Sequence, residues 1–121
     1  MIPGLGRYGF TSHELAMMCA SHSGEAVHVG IVQRMLAAAG LDDSALQCGC
    51  HAPGYFAATE TTAPSGAKWS PLYHNCSGKH AGMITLARHL DAPVAGYSRA
   101  DHPVQRSVAD VLRAMTGLAE L

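Results

Sequence analysis

The residues best able to do chemistry fall in two short strings. The first, NCSGKHAGM at 75–83, places a thiol at Cys76, an amine at Lys79 and an imidazole at His80. If a helix begins at Ser77 or Gly78, Cys76 and Lys79 stand one turn apart on the same side, near the positive end of the helix dipole. A thiolate is favoured in such a place, and it is both a nucleophile and a soft metal ligand. A lysine can join it as a ligand only after giving up its proton. The bland alternative is a packed cysteine beside a lysine whose stem covers apolar surface, and spacing alone leaves both open.

The second string, CASHSGEAVHV at 19–29, puts Ser21, His22 and Ser23 at the junction of two helical patterns. Ser23, just ahead of Gly24 and Glu25, reads as a helix N-cap. Ser21 has no equally good local role, which leaves it free to be a nucleophile. His22 and His28 read as surface or hydrogen-bonded core residues rather than metal ligands.

Three tempting matches fail on chemistry. Gly78 and Lys79 resemble the end of a phosphate-binding loop, but Tyr73 stands where its first glycine belongs and His80 where its magnesium-binding hydroxyl belongs. Cys48, Cys50 and His51 form a C-x-C-H cluster without a second ligand pair at zinc-finger spacing. A small structural-zinc protein would require them to converge with Cys76. Ser65 and Lys68 have S-x-x-K spacing, yet they follow Pro64 and enclose Gly66 in a turn-rich stretch where no helix brings lysine back onto serine.

The elements that must hold these residues are mostly helical. Thr11 and Glu14 have capping-box spacing and predict a helix from Ser12 to about Ala20. A second helix is predicted from about Gly24 or Glu25, carrying Val27, Ile31, Met35 and Leu36 and ending at Gly40. Asp42 caps a single turn through Leu46. From Cys48 to Ser70 the periodicity dissolves into Gly, Pro, Thr and Ala, which predicts a functional or covered loop. Helical spacing returns after Ser77 and stops before Pro93, and a last helix has Pro103 in its first turn and Gly117 at its end. No repeat or hairpin is evident. Small residues on several helix faces suggest that further chain packs over them.

The chain has 121 residues, a net charge of −1, 48% apolar and 14% charged residues, which suits one globular unit. Scattered charges without a basic stripe argue against a nucleic-acid partner. No apolar run is long enough for a signal peptide or a membrane span, so a cytoplasmic protein with reduced thiols is expected, with no membrane partner.

Taken together, ASHSGE, HVGIVQRMLAAAGL, LQCGCH, NCSGKHAGM and DHPVQRSV occur in an order and at spacings that resemble the bacterial asparaginase II family, the rhizobial-type L-asparaginases. The resemblance runs from about Tyr8 to Gly117. It implies hydrolysis of the side-chain amide of L-asparagine to aspartate and ammonia, with two serine and lysine pairs and a zinc held by two cysteines and a lysine. By matching motifs, Cys76 and Lys79 correspond to two zinc ligands, Ser21 to the serine of the second pair, and His80 to a neighbour of substrate or metal-bound water.

The implied architecture is a serine β-lactamase-like α/β fold, of which residues 1–121 would be a partial, mainly α domain. The first serine and lysine pair is expected upstream of the ASH segment, where only Met1 to Ser12 stand. The lysine partner of Ser21 and the third zinc ligand are expected beyond Leu121. Such a piece would turn over little or no substrate. A homodimer is one conceivable assembly. The competing function is a non-catalytic helical interaction module whose cysteines are structural.

Overall fold

The computed structural model describes residues 5–117, with side chains from Arg7 onward. It contains six α-helices: α1 (Leu5–Tyr8), α2 (Ser12–Cys19), α3 (Ala26–Ala38), α4 (Tyr55–Ala58), α5 (Ser77–His89) and α6 (Pro103–Thr116). Two 3₁₀ turns span Asp43–Ala45 and Pro71–Tyr73. No strand occurs among the described residues, so this part of the chain is mainly α, as expected.

Local chemistry sets most of the boundaries. Thr11 forms the predicted capping box: its side chain accepts from the first turn of α2, and its own amide donates to Glu14 Oε2 at 2.8 Å. The end of α3 is a Schellman motif. Leu41 N donates to Leu36 O and Gly40 N to Ala37 O, both at 2.9 Å, with Gly40 left-handed at φ 76°. Asp42 caps the following turn through Ser44 N. His102 caps α6, its Nδ1 accepting from Val104 N at 3.1 Å, and Pro103 takes the first helical position.

One cap differs from expectation. Ser23 does not cap α3; Glu25 occupies the N-cap position, and Ser23 Oγ instead donates to Glu25 Oε2 at 2.7 Å. The reason is Gly24, which is left-handed at φ 74° and so close to Pro53 that an added Cβ would lie 2.8 Å from the proline Cβ. That turn delays the helix by two residues.

The core is the contact of α3 with α2 and α5. Val32, Met35 and Leu36 of α3 meet Ala81 and Ile84 of α5, Met17 of α2 and Leu72, all buried. Helices α2 and α5 come unusually close because two glycines, one turn apart, face α2. A Cβ on Gly78 would sit 2.3 Å from Met17 O, and one on Gly82 would sit 2.9 Å from Met18 Cγ. The stretch from Cys48 to Ser70 is largely irregular, as predicted, but it also contains α4 and packs inward. Tyr55 N donates to Ser23 O at 2.9 Å, and Phe56, Trp69 and Tyr73 form an aromatic series.

Candidate active site

Ser21 lies in the connection between α2 and α3, and Lys79 in the first turn of α5. The close α2–α5 contact brings them together: Lys79 Nζ donates to Ser21 Oγ at 2.8 Å. Lys79 Nζ also stands 3.9 Å from Cys76 Sγ. Thus three residues singled out from sequence, two of them 58 positions apart, share one small region. The pairing of Ser21 with Lys79 differs from what the family resemblance implied, which placed its lysine partner beyond Leu121.

Ser21 opens onto a cleft of about 730 Å³, also lined by His22, Glu25, His28, His51 and Asn75. The Lys79 stem borders a second, apolar groove of about 340 Å³ with Met18, Met83, Leu86 and Val108. The lysine therefore carries its amine from an apolar bed to a polar edge, as long amphipathic side chains do.

The segment after Ser21 and the segment before Lys79 are stitched together. His22 N donates to Asn75 O at 3.1 Å. The His22 ring approaches Ser77 Oγ at 2.8 Å through Nε2 and accepts from Gly24 N at 3.0 Å through Nδ1. Burial, reinforced by His28, His74, His51 and Lys79, pushes the His22 pKa down from 6.5 to about 4. The expectation that His22 is a hydrogen-bonded histidine rather than a ligand agrees with both ring nitrogens being engaged. His51 supports the same junction from the loop, its Nε2 accepting from Asn75 N at 3.1 Å. The His74 ring lies against that of His51, tilted by 41° with centroids 4.2 Å apart. Its Nδ1 accepts from Cys76 N at 3.0 Å.

His80, next to Lys79, points elsewhere. Its Nδ1 is 2.6 Å from the hydroxyl of Tyr97, a fully buried residue whose oxygen also accepts from Gln47 N at 2.7 Å. Burial lowers the His80 pKa and raises that of Tyr97 to about 12. The Tyr97 oxygen thus accepts from the Gln47 backbone N–H, and its hydroxyl shares a hydrogen bond with His80 Nδ1. Neither Tyr97 nor Ser77 stood out in the sequence.

All four cysteines are free thiols. Cys48 is half-buried, and burial raises its pKa. Among the described residues no three His, Cys, Asp or Glu side chains gather into a metal-binding group, so Cys48, Cys50 and His51 do not form one with Cys76. Cys76 and Lys79 fit a metal differently, as one edge of a site: tetrahedral zinc sets S and N donors about 3.6 Å apart, close to their observed separation. Ser65 and Lys68 lie exposed in a turn, without helical geometry.

No helix among the described residues is long and apolar enough to cross a membrane. Sequence comparison finds no match among curated proteins. The family model for L-asparaginase II matches residues 3–121, nearly the whole chain, and the protein belongs to the L-asparaginase II family.

Proposed function

We propose that this chain carries the serine-centred part of an L-asparagine amidohydrolase, acting in the cytoplasm and built on part of a serine β-lactamase-like fold. The observation that carries the proposal is the 2.8 Å contact of Lys79 Nζ with Ser21 Oγ at the wall of an open cleft. Family membership supplies the substrate class.

In the proposed reaction Ser21 Oγ attacks the side-chain amide carbon and gives its proton to neutral Lys79. The tetrahedral oxyanion is stabilised by backbone amides at a helix N-terminus. Collapse breaks the C–N bond, the departing amine takes the proton back from Lys79, and ammonia leaves. Water then gives a proton to Lys79 and resolves the ester, releasing aspartate and restoring Ser21. Glu25, a carboxylate on the cleft wall, suits the α-ammonium of an amino acid. His80, expected beside the substrate, turns toward Tyr97 and does not line the cleft, so it takes no part in the proposed reaction.

Cys76 and Lys79 would hold zinc, which when bound would supply a positive charge and Lewis acidity beside the cleft. A lysine nitrogen has one lone pair, so Lys79 cannot bind metal and accept the Ser21 proton at the same moment. Equilibrium dialysis separates the roles. Cys76→Ser is expected to weaken zinc uptake while leaving Ser21 reactive, and equal uptake by both proteins would remove the metal.

The test of the nucleophile is covalent. A fluorophosphonate, which esterifies activated serines, is expected to label Ser21 in the wild-type chain and to lose that label in Lys79→Met. Ammonia release from L-asparagine, abolished in Ser21→Ala, is the matching turnover assay. Labelling unaffected by Lys79→Met would sink the pairing.

One observation favours the competing module: α6 exposes Val108, Val111, Leu112 and Met115. Zinc-independent dimerisation, with no labelling of Ser21, would support it over the enzyme.

A further inference from the structure

We propose that His22 is a positioning residue for the Ser21 and Lys79 pair: its ring, held neutral with the proton on Nε2, clamps the connection before α3 to the first turn of α5. The inference rests on Ser21 being the nucleophile and goes beyond it by assigning what holds that nucleophile in place.

Ser21 needs such help. It sits in a non-helical connection, its side chain is exposed, and its side-chain hydrogen bond runs to the tip of a long, flexible lysine. His22, directly after it, is fixed at both its backbone and its ring. The hydrogen-bond directions around the ring are forced. Gly24 N–H can only donate, so Nδ1 is the acceptor and the single ring proton of neutral imidazole lies on Nε2. Nε2–H therefore donates to Ser77 Oγ at 2.8 Å. Ser77, with no exposed surface, donates its own O–H to Leu72 O at 2.9 Å.

The chain of bonds thus begins at one backbone amide and ends at a backbone carbonyl, with every donor and acceptor matched. Such closed networks fix geometry, because a break at any link leaves a buried polar group unpaired. The second tie, His22 N to Asn75 O at 3.1 Å, crosses the same gap. Ser77 and Lys79 share the first turn of α5, so the clamp grips two residues from the lysine on one side and one residue from the serine on the other.

The assignment also settles what His22 does not do. With Nδ1 and Nε2 both engaged, it has no lone pair for the Ser21 proton and none for a metal. The shift of its pKa to about 4 agrees with a ring that stays neutral in this setting.

Side-chain mimicry tests the clamp. The amide nitrogen of Gln reaches where Nε2 stands, and the amide of Asn reaches only as far as Nδ1. Ser21 labelling by a fluorophosphonate is expected to fall roughly tenfold in His22→Asn and in Ser77→Ala, the scale of loss that small misplacements cause. It is expected to recover to within about threefold of wild type in His22→Gln, as a donor at the Nε2 position restores the same alignment. Circular dichroism confirms that each variant is folded. Long-range ¹H–¹⁵N correlation on the wild-type chain is expected to show His22 protonated at Nε2 and bare at Nδ1.

The opposite tautomer overturns the clamp whatever the labelling does, and this holds even if His22→Asn fails to fold. Wild-type labelling rates in folded His22→Asn and Ser77→Ala overturn it too, while leaving Ser21 as the nucleophile. A wild-type chain with the expected tautomer and no Ser21 labelling overturns the nucleophile and the positioning role together.

Discussion

Helices α5 and α6 are nearly equal in length, 13 and 14 residues, yet they are used in opposite ways. Helix α6 has the cleaner division into apolar and polar faces, but of its apolar stripe only Val104 is buried. Helix α5 has a blurred division and is buried around much of its circumference, with Ser77, Gly78, Ala81, Ile84, Thr85 and Ala87 all inside. The lesson is that amphipathicity reports how an isolated helix would lie on a core, whereas small residues report how closely a helix can be approached. The candidate chemistry sits on the helix with the weaker pattern. Closeness, not apolar patterning, is what brings Ser21 to Lys79.

The largest expected effect follows from that closeness. In Gly78→Ala the new Cβ would lie 2.3 Å from the backbone oxygen of Met17, which cannot yield without moving α2. A cost of about 3 kcal/mol is expected, far above the gain of about 1 kcal/mol that Ala brings to a helix interior. Gly82→Ala meets the Met18 side chain, Cγ at 2.9 Å and Cβ at 3.3 Å, which can turn aside more readily than a backbone oxygen. There the gain and the crowding nearly cancel, and a change below about 1 kcal/mol is expected. Urea unfolding of the two variants checks the contrast, and equal costs at both positions would break the account of the α2–α5 contact. Gly78→Ala should also abolish Ser21 labelling even where it remains folded.

How far the sequence foretold this arrangement depends on the range of the interaction. The capping box at Thr11 and Glu14, the stop at Gly40 and the entry at Pro103 are local signals, and each fixed a helix end. The cap of α3 was misplaced at Ser23 because its competitor is tertiary: the turn at Gly24 is shaped against Pro53, 29 residues onward. Helix α4 was hidden in a stretch without periodicity because it is a single turn held by Ser23 O and the aromatic series. Ser21, Cys76 and Lys79 were legible as chemistry from their types and from the family motifs. Their meeting was not, since nothing in either string says that the absent side chains of Gly78 and Gly82 let one helix lie on the other.

A middle-sized effect separates the two helices by pH. His22 is held below its unfolded pKa, so the unfolded chain takes up its proton first as pH falls. Its contribution to stability is therefore complete above about pH 6.5 and is lost progressively down to about pH 4, where it levels off. With partial solvent screening the loss is on the order of 1–2 kcal/mol. The carboxylates Asp42 and Asp101, lowered by their hydrogen bonds, act below that window, and Glu14, lowered by its bonds to Thr11, begins to act only at its lower edge. Urea midpoints measured at pH 7.5, 5.5 and 4.5 should decline in the wild type and decline less in His22→Gln. An unchanged slope in the variant would move the pH sensitivity away from the α2–α5 junction.

The smallest effect is expected on α6. Leu112 and Val111 are each about half exposed, at 52% and 54%, so their truncation removes little buried surface. Leu112→Ala should shift stability by no more than about 0.5 kcal/mol in dilute solution, whereas Ile84→Ala, in the α5 core, should cost 2 kcal/mol or more, roughly. The concentration dependence of unfolding gives this contrast a sharper form. If a second copy of the chain covers the stripe, the wild-type midpoint rises with protein concentration by mass action and Leu112→Ala flattens that rise. If the stripe stays bare, both midpoints are flat and the variant matches wild type throughout. A large loss in Leu112→Ala that does not depend on concentration would mean that α6 is held by its own chain more tightly than its exposed stripe implies, and the difference between the two helices would shrink accordingly.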